Sequence, residues 1–244
     1  MLDRDELVRY DRQLRIPDFG EAAQKKLKIS HVVIAGVGGL GCASATYLVA
    51  AGVGHITIVD FDVVELSNLN RQVLYWEEDI GAKKVTVAQK KLSRLNPTIE
   101  ITPVWAEITE QNASSIISGA QVVVDGLDKL DARLALNAAC IRQKIPYVYG
   151  GVSRFRGMMT TIIPGETPCL ACFNPEGPRG LGVIGMIPAL IANLQALETI
   201  KLLMGQKPSL AGKLLRFNGN DFKFRIYDIE KNEACQVCSQ GLLS

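Results

Sequence analysis

The sequence predicts an α/β fold: a doubly wound, mostly parallel sheet with antiparallel strands added near the C-terminus. Three observations carry that prediction. Short runs rich in β-branched residues, Val32–Ala35, His55–Val59 and Gln121–Asp125, alternate with helical patterns, as parallel strands covered on both faces do. The first run ends in Gly36-x-Gly38-Gly39-x-Gly41 and then opens a helix of small and apolar residues. Past Gly151 the pattern changes to short strands joined by turns.

Residues 1–28 read as a charged helical arm, with Asp3 capping a helix through Asp11 and Leu2, Leu7, Tyr10 and Leu14 on its apolar side. The glycine spacing that follows is the Rossmann-like dinucleotide fingerprint: a tight turn, a close approach for a phosphate, and a close helix contact. The next strand ends in Asp60, 24 residues after Gly36, where an acid usually holds a ribose hydroxyl. These features point to an adenine nucleotide and leave NAD, FAD and ATP open. Just beyond lies a polar cluster, Asp62 to Gln72, containing Asn68 and Arg71, and then Gly81-Ala-Lys83-Lys84 opens a helix running to Leu95. A nicotinamide gains little from such cations and amides. A polyphosphate gains much, because a leaving pyrophosphate gathers negative charge in the transition state.

After the stop at Asn96-Pro97, Ile99–Trp105 alternates as a strand and a helix is expected around Glu110–Ser118. The strand Gln121–Asp125 delivers Asp128 and Lys129 at its carboxyl end, with Asp131 placed to cap the helix bearing Arg133 and Asn137. Acids at that place serve either a metal or a cap. Ile145–Gly151 reads as one more strand, and Met158–Ile163, Lys213–Asn218 and Phe222–Asp228 as antiparallel additions. No linker intervenes, so residues 1–244 are expected to form a single domain. Met186–Met204 is a long apolar helix interrupted by Asn193, Gln195, Glu198 and Lys201, which favours the core or a dimer interface over a membrane.

Two CxxC pairs, Cys169/Cys172 and Cys235/Cys238, stand 62 residues apart. Four thiolates suit a closed tetrahedral zinc site, structural and not catalytic. The charged N-terminus lacks a signal-peptide core, so a cytoplasmic location is expected, and with it thiols instead of disulfides. Cys42 and Cys140 sit in apolar helices and read as core. His31 and His55, the two histidines, open strands and are not placed for catalysis. A formal charge of +2 argues for neither nucleic acid nor an anionic membrane surface.

Taken together, Arg9-Tyr-Asp-Arg-Gln, GVGGLGC from Gly36, DFDVVELSNLNRQ from Asp60, GAKK from Gly81 and the last CxxC at Cys238 resemble the E1-like adenylating enzymes of the MoeB/ThiF/HesA type, relatives of the ubiquitin-activating enzymes. The resemblance implies ATP on Gly36, Gly38, Gly39 and Gly41, with Asp60 on the ribose. It puts Asp62 and Gln72 in the same nucleotide-binding set, and Asn68, Arg71 and Lys84 on the phosphates. It further implies that Asp128 holds Mg²⁺, that Arg133 matches a family arginine, and that Arg12 reaches the ATP of the other protomer in a homodimer. Lys129 departs from the pattern, standing where Asn is usual. No cysteine lies between Cys172 and Cys235, so no thioester is expected on this chain, and residues 173–184 are expected to be a mobile crossover loop closing over the substrate tail. The implied substrate is the C-terminal glycine carboxylate of a small ubiquitin-like sulfur carrier with a Gly-Gly tail, as in molybdopterin, thiamine or tRNA thiolation. Two other classes stay open at this point: an NAD-dependent oxidoreductase, and a non-catalytic nucleotide-binding member of the same fold.

Overall fold

The computed structural model describes residues 1–173 and 182–239. Most of the expected 173–184 loop therefore lies outside the described residues. The arm is three short helices, α1 (Arg4–Arg9), α2 (Asp11–Leu14) and α3 (Gly20–Lys28). Asp3 caps α1 as expected, in a reciprocal capping box with Glu6: Asp3 accepts from the Glu6 amide at 2.9 Å and Glu6 from the Asp3 amide at 2.8 Å. The helix does not continue to Asp11. It breaks at Tyr10, whose buried hydroxyl accepts from Asn96 Nδ2 at 2.9 Å, and the break leaves Leu7 exposed while Leu2 and Tyr10 are buried.

Beyond the arm the chain alternates: β1 (His31–Ala35), α4 (Gly39–Ala51), β2 (His55–Val59), α5 (Lys84–Leu95), β3 (Glu100–Val104), α6 (Ala113–Ile116), β4 (Val122–Asp125), α7 (Leu130–Gln143) and β5 (Tyr147–Ser153). Then come β6 (Arg156–Ile162), α8 (Leu170–Phe173), α9 (Met186–Met204), β7 (Lys213–Asn218) and β8 (Lys223–Asp228). The eight strands form one sheet in the order β3-β2-β1-β4-β5-β6-β7-β8. The pairs from β3 to β5 are parallel and those from β5 to β8 antiparallel. The order reverses between β1 and β4, and such a switch point opens a crevice at the carboxyl ends of the strands. Pro103 sits in β3 at no cost to the ladder's interior because β3 is an edge strand.

Strand alternation divides the core. Val32 and Ile34 face α4 and α9 with Ile56, Leu92 and Ile191, while Val33 and Ala35 face α7 with Val123, Leu136 and Tyr147. Two expected elements shrink. The helix expected over Glu110–Ser118 is confined to α6, because the Asn112 side chain accepts from the Thr109 amide at 2.8 Å and donates to the Glu107 carbonyl at 2.7 Å. Such local bonds compete with a helical turn. Asp131 does not cap α7; Lys129 occupies that position with no side-chain cap.

Helix α9 has the length and hydropathy of a membrane span, yet it lies across the sheet of this protein. Its buried face carries Gln195, which donates to the carbonyls of Asp125 and Val148 at 2.9 and 3.0 Å. It also carries Glu198, which accepts from the amides of Ser209 and Leu210 at 3.1 and 2.9 Å and from Thr161 Oγ1 at 3.2 Å, and pairs with Lys201 at 2.7 Å. At the opposite end of the sheet from the crevice, His31 and His55 stack with centroids 3.9 Å apart.

Truncating Glu198 to alanine orphans two amides and a hydroxyl. The loss is expected to be about 2–4 kcal/mol, seen as a lower denaturant midpoint at unchanged slope. Burial, and then the neighbouring His55, lowers the pKa of His31 below the ordinary imidazole value. The unfolded chain therefore takes up that proton first. The stability of the neutral ring is complete above about pH 6.5 and is lost as pH falls through the folded value. His31→Gln should flatten the fall in denaturant midpoint between about pH 7 and 5.

Candidate active site

The crevice at the switch point is a cavity of about 330 Å³, lined by the glycine loop, the loops after β2, β3 and β4, and one residue of α9, Pro188. The glycine loop is held from both sides at Val37. Its amide donates to Asp60 Oδ2 at 2.8 Å, and its carbonyl accepts from the Tyr75 hydroxyl at 2.8 Å and the Cys42 thiol at 3.1 Å. Gly36 adopts φ +87°, and a β-carbon at Gly41 would lie 1.8 Å from the Gly36 carbonyl oxygen. Only glycine fits either place. Gly38, by contrast, faces open space with Gln72 Nε2 at 3.6 Å from its hypothetical β-carbon, so a ligand has room to approach the backbone there. Helix α4 starts at Gly39 with no side-chain cap, leaving its first amides and its dipole pointed at the crevice.

Along one wall, Asp60 is fixed by two amides, with Oδ1 accepting from Asp62 at 2.8 Å. Burial raises its pKa, opposed by the Asp62 amide and the charge of Lys84. Lys84 is buried and its ammonium pairs with Asp62 at 2.8 Å. Arg71 is half-buried, with Nη1 donating to the Ser67 carbonyl at 2.9 Å and to Asn70 Oδ1 at 3.1 Å. Asn68 and Gln72 are buried beside them, and Gln72 Oε1 has no hydrogen-bond partner among the described residues. An orphaned buried acceptor is costly unless a ligand supplies the donor. Lys83 takes no part: its ammonium sits over the Trp105 ring at 3.5 Å. A second cavity of about 300 Å³ adjoins the first around Asp62, Asn68 and Lys84.

The opposite wall is the loop Gly126–Lys129. Asp128 lines the crevice, is exposed, and carries no hydrogen bond or ion pair among the described residues, which leaves both its oxygens for a hard cation. Lys129 pairs with Glu107 at 2.8 Å and lies over the Phe61 ring at 4.8 Å, so its direct contacts are with neighbouring loops, and Asp128 adds only a weaker charge interaction. The structure does not bring Arg133 to the crevice. It is sunk behind the wall and its Nε pairs with the fully buried Asp125 at 3.0 Å. Arg12 is exposed on the arm and does not line the crevice of its own chain.

Gly36, Gly38, Gly39, Asp60, Asp62, Asn68, Arg71, Gln72, Lys84 and Asp128 thus surround one cavity, while Gly41, packed against the Gly36 carbonyl, does not line it. Phe61, Glu107, Ile108, Ala132, Val152, Val183 and Pro188 also line it and escaped sequence reasoning. Glu107 and Ile108 follow β3 as Asp60 follows β2, so the rule that ligands gather at strand carboxyl ends could have found them. Pro188 could not be found that way, because its place depends on how α9 crosses the sheet.

The two CxxC pairs meet on the other side of α7. Sulfur separations are 3.7 Å for Cys169–Cys235, 3.4 Å for Cys172–Cys238 and 4.0 Å for Cys169–Cys172, and all four lie within 4.8 Å of one another. A tetrahedron with metal–sulfur bonds of 2.3 Å has edges of about 3.8 Å, so this donor set fits zinc. Cys169 directly precedes the single turn of α8, but its sulfur points into the cluster. Cys42 and Cys140 are wholly buried; burial pushes the Cys42 thiol up to about 12, and both belong to the core.

The ThiF family model matches residues 10–237. A SAMP-activating enzyme E1 from Haloferax volcanii is 37% identical over 248 residues, spanning 98% of this chain and 92% of that protein. A sulfur carrier protein adenylyltransferase from Thermus thermophilus is 38% identical, spanning 96% and 92%. Among solved structures, E. coli MccB with ATP aligns at a TM-score of 0.81 and 25% identity over 89% of this chain and 68% of that one. Matched from the arm to the last cysteine pair, the chain belongs to the ThiF family of E1-like adenylating enzymes.

Proposed function

We propose that this protein adenylates the C-terminal glycine carboxylate of a small ubiquitin-like sulfur carrier ending in Gly-Gly, consuming ATP and releasing pyrophosphate. One observation carries the reading. Lys84, Arg71, Asn68 and Gln72 share a cavity with an open glycine loop on one side and the unpartnered Asp128 on the other. That is an arrangement for a polyphosphate and a divalent cation. Full-length similarity to a sulfur carrier protein adenylyltransferase supports the choice of acceptor.

In this reading the glycine loop and Asp60 hold the nucleoside, and Asp62, Asn68, Arg71, Gln72 and Lys84 surround the phosphates. The carrier's carboxylate is ionised at neutral pH and needs no general base. It attacks the α-phosphorus, the bond to the pyrophosphate breaks, and the cations and amides stabilise the charge gathered on the leaving group. Asp128 would hold Mg²⁺, which when bound neutralises charge on the phosphate oxygens. Arg12 acts from the partner protomer of a homodimer. Cys169, Cys172, Cys235 and Cys238 hold zinc as a staple, and the protein works in the cytoplasm.

The assay is carrier-dependent exchange of labelled pyrophosphate into ATP. Lys84→Ala and Asp128→Ala are each expected to lower it about 10²–10³-fold, and Arg12→Ala to lower it although Arg12 lies outside its own cavity. Exchange that survives all three changes, or binding of NAD in preference to ATP, would overturn the reading. Elemental analysis is expected to find one zinc per chain in the wild type and none in Cys238→Ser, with a cost of about 3 kcal/mol or more, roughly 6–12 °C in melting temperature.

A further inference from the structure

Arg133 belongs to the expected nucleotide set but does not line the cavity, and its contacts say what it does instead. The loop that presents Asp128 is held at several of its backbone groups. Gln195 donates to the Asp125 carbonyl at 2.9 Å, the Gly126 amide donates to Ala35 O at 2.7 Å, and the Leu127 amide donates to Asp125 Oδ1 at 2.8 Å. The carbonyl immediately before Asp128 is that of Leu127, and it accepts from Arg133 Nη2. The same nitrogen donates to the Gly150 carbonyl at 2.8 Å, while Nε pairs with Asp125. One planar guanidinium therefore hydrogen-bonds the loop to β5 through Nη2 and sets its charge against Asp125 at the end of β4. Because a peptide unit is planar, holding the Leu127 carbonyl also orients the amide of Asp128.

We infer that Arg133 is a positioning residue: it meets no nucleotide, and it sets the direction in which Asp128 offers its carboxylate to the divalent cation. The inference rests on the reading that Asp128 holds Mg²⁺. Mg²⁺ requires near-ideal octahedral geometry, so a ligand free to wander binds it poorly even when its chemistry is intact. Lysine is no substitute, since an ammonium is a point charge without the guanidinium's fixed fork. Asp125 supplies the reason the fork stays put. It is fully buried, and a buried carboxylate needs a partner.

The test uses Arg133→Lys in the full chain, which keeps a cation beside Asp125 and loses the fork. ATP binding is measured by calorimetry in EDTA and across a Mg²⁺ series. Affinity in EDTA should stay close to wild type, while the Mg²⁺ concentration for half-maximal tightening should rise about 10–100-fold, the usual effect of removing a group that orients a metal ligand. Amide exchange at Leu127–Lys129 should quicken while that of Val122–Val124 does not. An unchanged Mg²⁺ requirement overturns the inference. So does an equal loss of affinity with and without Mg²⁺, which would place the guanidinium on the nucleotide. Should the single variant fail to fold, Asp125→Asn with Arg133→Gln removes both buried charges together and is read by the same criteria. Asp128→Ala separates the two claims. If it keeps the wild-type Mg²⁺ requirement, the metal is not on Asp128 and the underlying reading falls. If it loses that requirement while Arg133→Lys behaves as wild type, the positioning role alone is wrong.

Discussion

The crevice depends on the space around one carbonyl oxygen, that of Gly36. A β-carbon at Gly41 would come within 1.8 Å of it, and one at Gly126 within 2.4 Å. Three stretches of backbone therefore touch where β1 and β4 diverge. Because nothing larger than hydrogen fits between them, α4 begins hard against the sheet and the Gly126–Lys129 loop runs alongside it. That closeness puts the amide end of α4 and the Asp128 carboxylate on facing sides of the same cavity. A methyl group at any of the three would separate the walls before it touched a ligand.

In and behind the walls of the crevice three cations are paired with carboxylates, Arg71 is held by neutral acceptors, and the Asp128 carboxylate has no ion pair among the described residues. Lys84 is paired with Asp62, Lys129 with Glu107 and Arg133 with Asp125, whereas Asp128 has no partner among the described residues. A buried ammonium without a counter-ion would be costly, and Asp62 is the counter-ion of Lys84 in the wall. Asp62 is itself half exposed. A phosphate that takes Lys84 therefore leaves behind a carboxylate that water can solvate, and the exchange of partners carries little penalty. The pair at Arg133 differs in kind. Both its members are shut away from solvent, neither can be replaced by water, and it is correspondingly a fixture.

How far this was legible in the sequence depended on whether a residue's role was set locally. The glycine turn, Asp60 and Lys84 lie at a strand end or a helix start, where spacing alone fixes their direction, and they line the cavity. Arg133 lies three residues into α7, and whether a helical residue points to the crevice or behind it depends on the rotation of the helix about its axis. The buried face of α7, with Ala132, Ala135, Leu136 and Ala139, fixes that rotation and brings Arg133 to Asp125, and no motif announces it. Lys129 followed the same logic on the surface: its partner Glu107 comes from a different loop. The helix expected around Glu110 shortened because the Asn112 side chain offered the backbone an alternative to helical bonds. Propensity sums do not register such an option.

The distance between the cysteine pairs looks too great for a compact zinc ribbon, and loop physics explains why it is tolerable. Closing a flexible loop of 62 residues instead of 15 costs only roughly 1 kcal/mol more, since the penalty grows with the logarithm of length. Against that small increment the cluster fastens the chain after β6 to the chain after β8, with α9 and two strands of the sheet in between. It is also tied to α7, since Asn137 Oδ1 accepts from the Leu170 amide at 2.9 Å, one residue past Cys169. None of the four cysteines lines the crevice. What the cluster contributes to the active site is therefore mechanical. It anchors one side of the helix whose first turns carry Arg133, and through Arg133 the loop that holds Asp128.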